Sequence, residues 1–286
     1  MSVVAAIRPG ERRRLRLPSA AVAVSAAFVA LVAIAAVAGR WLAPMDPSLQ
    51  DLTQPTAGPS AAHWLGTDDL GRDIWSRLLA GTGTAVLGPL AIAVGALVIG
   101  TALGLLAGYV GGLVDAVISR LADLVFALPG VMIAIVVVGV LGGSYLTAVA
   151  VLTFLFVPAD VRLVRSAVLA VRELPYLEAA RTLGVRPVRL VLVHLLPNVA
   201  PTVVANVLLD FGYGLVALSS FSFLGLGIPP GTADWGLMIA ENRSALDLNP
   251  LACLAPAVLL TLTAAAVTIL GDWTYERFAS RTVRDE

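Results

Sequence analysis

Residues 84–110 read TAVLGPLAIAVGALVIGTALGLLAGYV and carry no charged side chain. Coiled as an α-helix, such a run is about 40 Å long, more than the ~30 Å hydrocarbon core of a bilayer. A helix apolar on all sides belongs either inside a large protein core or in a membrane. Composition chooses between the two. Of 286 residues, 58% are hydrophobic and 13% charged, against roughly 25% charged in soluble domains, and the mean hydropathy is +0.90. The chain is built for lipid.

Five further stretches have the same character. Spans are expected at Ala20–Ala43, Thr84–Val110, Ile118–Leu141, Leu146–Val168, Val199–Leu224 and Leu251–Trp273, giving an all-α polytopic membrane protein with six transmembrane helices. The organisation that follows is a tail at 1–19, a first helix at 20–43, a loop at 44–82, a core of five helices at 83–274 and a tail at 275–286. Asp160, Arg162 and Arg165 imply that the fourth span leaves the membrane early. Pro129 should kink or interrupt the third near its cytoplasmic end. Gly100, Gly104, Gly108 and Gly112 recur every fourth residue, a spacing that lets a neighbouring helix approach closely. For residues 12–38 the alternative is a cleaved signal peptide, with Ala36-Val37-Ala38 as a small-residue cleavage site. The apolar run exceeds the roughly 7–15 residues of a signal core, so a retained first span is the reading adopted. Arg12-Arg13-Arg14 is then a topology anchor rather than an export signal.

Charge sets the direction. With the N-terminus inside, the inner side carries five arginines from Arg8 to Arg16, Arg120, six from Arg162 to Arg189 and three from Arg277 to Arg284, fifteen in all. Arg72, Arg77 and Arg243 fall outside and Arg40 sits at the outer end of the first span, where eight acids also lie. The positive-inside rule therefore places both termini in the cytoplasm. The basic residues are segregated around a membrane domain and the formal net charge is zero, so nucleic acid is not an expected partner.

Several chemistries are excluded by residue type. All nineteen basic residues are arginine, so there is no phosphate-loop lysine and this chain does not hydrolyse ATP by that route. Cys253 is the only cysteine and reads as a small core residue. His63 with Asp68, Asp69 and Asp73 offers imidazole and carboxylates, but in no familiar metal spacing. A short external helix capped by Asp68, with Asp73 and Arg77 paired at i,i+4, accounts for that run instead. His194, the other histidine, is expected across the membrane from His63, so no nucleophilic triad can form. No metal, cofactor or catalytic residue is expected. Asp210 stands alone as the conspicuous intramembrane acid and must face a water-filled path or a helix-packing partner.

Between the fourth and fifth spans, at about 167–198, lies the longest inner loop. It contains Leu174-Pro175-Tyr176-Leu177-Glu178-Ala179-Ala180-Arg181-Thr182-Leu183-Gly184. Pro175 suits a first helical turn and Gly184 a left-handed stop, with Leu177, Ala180 and Leu183 alternating with Glu178 and Arg181. A helix this short is marginal alone and needs a surface. On spacing, that surface is either a partner protein or the lipid headgroups.

The run Glu178-Ala179-Ala180, three residues, Gly184, nine residues, His194, one residue, Leu196-Pro197 resembles the EAA motif of permease subunits of binding-protein-dependent ABC importers. The resemblance implies that Glu178, Ala179, Ala180, Arg181 and Gly184 form the coupling helix seated in an ATPase cleft. His63-Trp64-Leu65-Gly66-Thr67-Asp68-Asp69-Leu70-Gly71-Arg72-Asp73-Ile74-Trp75-Ser76-Arg77, Ser222-Phe223-Leu224-Gly225-Leu226-Gly227-Ile228-Pro229-Pro230 and Asp234-Trp235-Gly236 resemble the C-type subunits of the dipeptide/oligopeptide/nickel branch. Leu218 departs from that branch, where an acid is common. What the resemblance implies is a non-catalytic inner-membrane permease working with a homologous second permease, two cytoplasmic ATP-binding subunits and an extracytoplasmic substrate-binding protein. Short peptides are the expected cargo, with nickel or another small solute as the alternative. An ion-driven secondary transporter is the rival of another class; it would call for inverted repeats and more intramembrane ionisable groups.

Overall fold

The computed structural model describes residues 20–282, with side chains through Arg277. Arg8 to Arg16, Arg284 and the Arg281 side chain, which carry part of the expected charge bias, lie outside the described residues. The elements in order are α1 (Ala20–Leu42), α2 (Ile74–Val110), α3 (Gly112–Phe126), α4 (Gly130–Leu141), α5 (Tyr145–Val171), α6 (Pro175–Thr182), α7 (Pro187–Arg189), α8 (Leu196–Phe223), α9 (Trp235–Glu241) and α10 (Leu251–Thr282). A π-helical turn, Leu190–Leu195, joins α7 to α8 without a break. Among the described residues five helices are long and apolar enough to cross a membrane, and six if the bent pair α3–α4 is one span. The protein is an all-α polytopic membrane protein.

The third expected span is two helices meeting at 85°. Pro129 has no N–H to continue the ladder and sits extended, at φ −60 and ψ 115, as the residue before α4. Upstream, Gly111 and Gly112 have φ of +69 and +56, a left-handed pair that turns α2 into α3. The amphipathic α3 is tied to α5 by Arg165 on Asp115 and by Arg162 Nη2 on Asp123 Oδ1 at 2.6 Å. Asp115 and Asp123 are eight residues apart and their partners three, so α3 runs obliquely across α5. The sequence places the interruption at a cytoplasmic end; the break instead faces Leu152, Leu155 and Phe156 in the middle of α5.

Small residues organise the centre. A Cβ at Gly100 would lie 2.3 Å from Asp160 Cβ, at Gly104 2.6 Å from Val164 Cβ, and at Gly108 2.8 Å from Val168 Cβ. The pairs advance together along both chains, so α2 and α5 run parallel in close contact through the glycine face. Gly112 is not part of it and faces open space. α5 continues to Val171, three residues past the expected Val168. Asp160 is buried against Gly100, while Arg162 and Arg165 are paired with acids of α3, so neither removes the helix from the bundle.

Two apolar clusters close the ends. Ile74, Leu78, Trp235, Met238 and Ala252 pack where α9 meets α2 and α10. Leu105, Val164, Val168, Leu177, Leu190, Leu195 and Val199 pack at the opposite end, beneath α6. Val37, Leu113, Val140 and Leu146, outside these clusters, are more than 70% exposed, a surface for lipid or other membrane subunits rather than water.

Candidate coupling helix and two buried polar clusters

Local sequence fixes α6 at both ends. Leu174 is extended and Pro175 opens the helix. At its end Gly184 has φ +75, the Val185 N–H donates to the Ala180 carbonyl at 3.2 Å and the Gly184 N–H to the Arg181 carbonyl at 2.9 Å. That is a Schellman stop, and only glycine takes its C′ conformation without strain. One side chain anchors the helix: Leu177 is fully buried in the cluster beneath. Asn198 Nδ2 donates to the Tyr176 hydroxyl at 2.9 Å, and the Arg181 guanidinium stands 5.4 Å over the Tyr109 ring. Glu178 and Ala179 are exposed, and Leu183 and Val188 are 84% and 70% exposed. The sequence assigns Leu183 to the apolar face with Leu177. At about 100° per residue it lies some 120° round from Leu177 and points away from the bundle. The result is a rigidly seated eight-residue helix showing an acid flanked by bare aliphatic groups.

At the other end, loop 43–73 is locked onto α9. Arg72 and Arg77 are 1% and 0% exposed. Arg72 Nε meets Asp68 Oδ2 at 2.6 Å, and Arg72 Nη2 and Arg77 Nη2 reach Glu241 Oε2 at 2.9 and 3.2 Å. Asn249 Nδ2 donates to the carbonyls of Ala57, Leu65 and Thr67. Burial, with Asp68 and Glu241 beside it, pushes the Asp69 carboxyl up, while Arg72 pulls it down.

This network corrects the expected arrangement of 63–78. Asp73, not Asp68, is the N-cap, accepting from the Ser76 N–H and hydroxyl at 2.8 and 2.6 Å through Oδ2. Its other oxygen meets His63 Nδ1 at 3.0 Å, leaving nothing for Arg77, which pairs with Asp68 and Glu241 instead. The expected short external helix is the first turns of α2, which starts at Ile74 rather than Thr84. Among the described residues no group of three or more histidine, cysteine or acidic side chains is placed to hold a metal.

Asp210 is not alone. Asn206 Nδ2 donates to Asp210 Oδ2 at 2.8 Å and to Asp160 Oδ1 at 2.7 Å, joining α8 to α5. The two acids are fifty residues apart in sequence and their helices are distinct, so no local pattern brings them together. Asp210 is 7% and Asp160 3% exposed, so both point into this chain's own core. The sequence reading missed Asp160 by attributing it to the end of a span. The signal was present in its register, because Asp160 shares a face with Val157, Val161 and Val164, all buried.

With this geometry in hand, comparison with known proteins gives a consistent picture. Residues 100–284 match the family described as binding-protein-dependent transport system inner membrane component. The glutathione transport system permease protein GsiD of Pectobacterium atrosepticum is 38% identical over 261 residues, covering 91% of this chain and 86% of that protein. An Escherichia coli protein named "Probable D,D-dipeptide transport system permease protein DdpC" is 35% identical over 248 residues, covering 87% of this chain and 83% of that one.

Proposed function

The chain belongs to the family of binding-protein-dependent transport system inner membrane components, and from that premise we propose that it forms half of a peptide-conducting pathway driven through α6. It is the non-catalytic permease subunit of an ATP-driven importer, in which ATP hydrolysis belongs to other chains. Its cargo is a short peptide such as a dipeptide or a glutathione-like tripeptide, the class named for its relatives. The companion permease is a homologue, two ATP-binding subunits sit on the cytoplasmic side, and both termini of this chain face them.

The observation that supports this reading is α6 itself. A helix anchored by Leu177 and stopped at Gly184, with Glu178, Leu183 and Val188 bare, has a docking face and no occupant among the described residues. Lipid headgroups would favour basic groups outermost and aliphatic groups innermost. Here Leu177 already points inward to protein, and Leu183 and Val188 face outward with Glu178 among the exposed Arg181, Arg186 and Arg189. We assign the Glu178–Gly184 segment, with Ala179, Ala180 and Arg181, to the ATPase contact. Asp210 we assign to helix packing rather than to the path, because its carboxyl is spent on a partner inside the chain.

Labelling tests the contact. Ala179→Cys places a thiol on the exposed face of α6, and the native Cys253 is buried. A water-soluble maleimide should label Ala179→Cys in the purified permease pair and much less once the ATP-binding subunits are added. Equal labelling in both states overturns the assignment.

A further inference from the structure

Asp160 and Asp210 form a buried site that the transport assignment does not use. The two carboxyls are bridged by one amide, Asn206 Nδ2, which donates to Asp160 Oδ1 at 2.7 Å and to Asp210 Oδ2 at 2.8 Å and so holds them side by side. Asp160 Oδ2 is fully buried and has no hydrogen-bond partner among the described residues. Two buried carboxylates side by side, both ionised, would each be desolvated and would repel each other at short range. Two protons from a single amide nitrogen satisfy one oxygen on each acid and leave the charge uncompensated.

Among the described residues, the groups around the pair do not supply a cation. The α5 arginines below it are committed elsewhere: Arg162 to Asp123, Arg165 to Asp115, and Arg172 to the Gly108 carbonyl and Glu173. On α2 the neighbour is Gly100, whose missing side chain makes room for Asp160; Tyr109 lies further along, under Arg181. On α10 the ionisable groups Asp272 and Glu276 are exposed, and Arg277 lies over Trp273. The chain has no lysine.

We infer that Asp160 and Asp210 are a binding site for one proton, held between Asp160 Oδ2 and the Asp210 carboxyl as a carboxylic acid donating to a carboxylate. One proton gives the orphaned oxygen a partner and removes one of the two like charges. The position gives the site a mechanical meaning. α5 leads into α6 and α8 leads out of the segment that follows it, so the shared proton fastens together the two helices that carry the α6 segment. The inference is independent of the cargo and of what docks on α6.

Infrared spectroscopy of the assembled transporter in lipid bilayers tests it. At about pH 7, where an unperturbed aspartate is ionised, the wild-type minus D210N difference spectrum should show one protonated carboxyl C=O band per chain, shifted in D2O. The wild-type minus D160N spectrum should show the same band, because one proton belongs to the pair. Absence of a carboxylic-acid band from both spectra means both acids are ionised and overturns the site. A carboxylate band that moves when sodium replaces choline identifies a metal cation as occupant and also overturns it. Should a variant fail to assemble, the alkaline-minus-neutral spectrum of the wild type decides: loss of an acid band with gain of a carboxylate supports the proton, and no such pair of bands excludes it.

Discussion

At the scale of single residues, two kinds of side chain are held here with opposite legibility. Arg72 is buried against Asp68 and Glu241, and replacing it with leucine would leave Asp68, itself 0% exposed, facing one remaining arginine. Breaking a buried ion network from one side costs about 3–5 kcal/mol. Arg72→Leu should therefore loosen loop 43–73, read as faster proteolysis there, with the transmembrane helices protected. Asp210→Leu should cost about 1–3 kcal/mol by leaving an Asn206 donor unpaired in the core. A packing role predicts less assembled transporter with normal turnover per complex; normal yield with lost turnover would put Asp210 in the path. The register of Asp160 marks it as buried, but neither pairing could be read from sequence, because Arg72 lies 169 residues from Glu241 and Asp160 46 from Asn206 and only the fold brings them within hydrogen-bonding range. Gly184 is the opposite case. Its φ of +75 is a local demand of a helix stop, and proline, amphipathic spacing and glycine stand within ten residues of one another.

Among the elements, spans were legible and their joints were not. Apolar length locates the end of α1, both ends of α5 and α8 and the start of α10 to within a few residues, because burial in lipid is a property of each segment alone; α10 itself runs nine residues past the expected Trp273, to Thr282. The 85° bend between α3 and α4 was signalled by Pro129, but its depth depends on where α3 is tied to α5 by Asp115 and Asp123. The start of α2 was placed ten residues late because its first turns, capped by Asp73 and carrying Arg77, read as a separate short external helix when hydropathy alone sets the span. The glycine face of α2 makes a sharper prediction. A leucine at Gly104 would drive Cβ to 2.6 Å from Val164 Cβ and 2.9 Å from the Val161 carbonyl, and overpacking of this kind costs about 1–3 kcal/mol or more. Gly104→Leu should lower the detergent stability of the complex, measured by size exclusion after heating. An unchanged profile would mean that α2 and α5 are not packed as described.

For the whole molecule, the account is of half a machine. A chain without lysine, with bare apolar flanks and an unoccupied α6 face, should transport nothing in liposomes by itself, with or without ATP; uptake by the isolated chain would contradict it. If the C-terminus is cytoplasmic, as the arginine distribution in the sequence leads us to expect, a C-terminal tag should be protected in intact spheroplasts and exposed on lysis. The central claim is that ATP-binding subunits act on the membrane helices through α6. In proteoliposomes holding this chain, its companion permease and the ATP-binding subunits, with loaded binding protein outside, peptide uptake and ATP hydrolysis can be measured together for wild type, Gly184→Val and Glu178→Lys. A Cβ at Gly184 meets no atom within 4 Å, so Gly184→Val acts through the backbone alone, where a left-handed β-branched residue costs about 1–2 kcal/mol. If that cost falls on docking, uptake drops about tenfold for each 1.4 kcal/mol. The account predicts that both variants insert and that both lose uptake together with the stimulation of ATP hydrolysis by binding protein. Wild-type uptake and stimulation in both would contradict it.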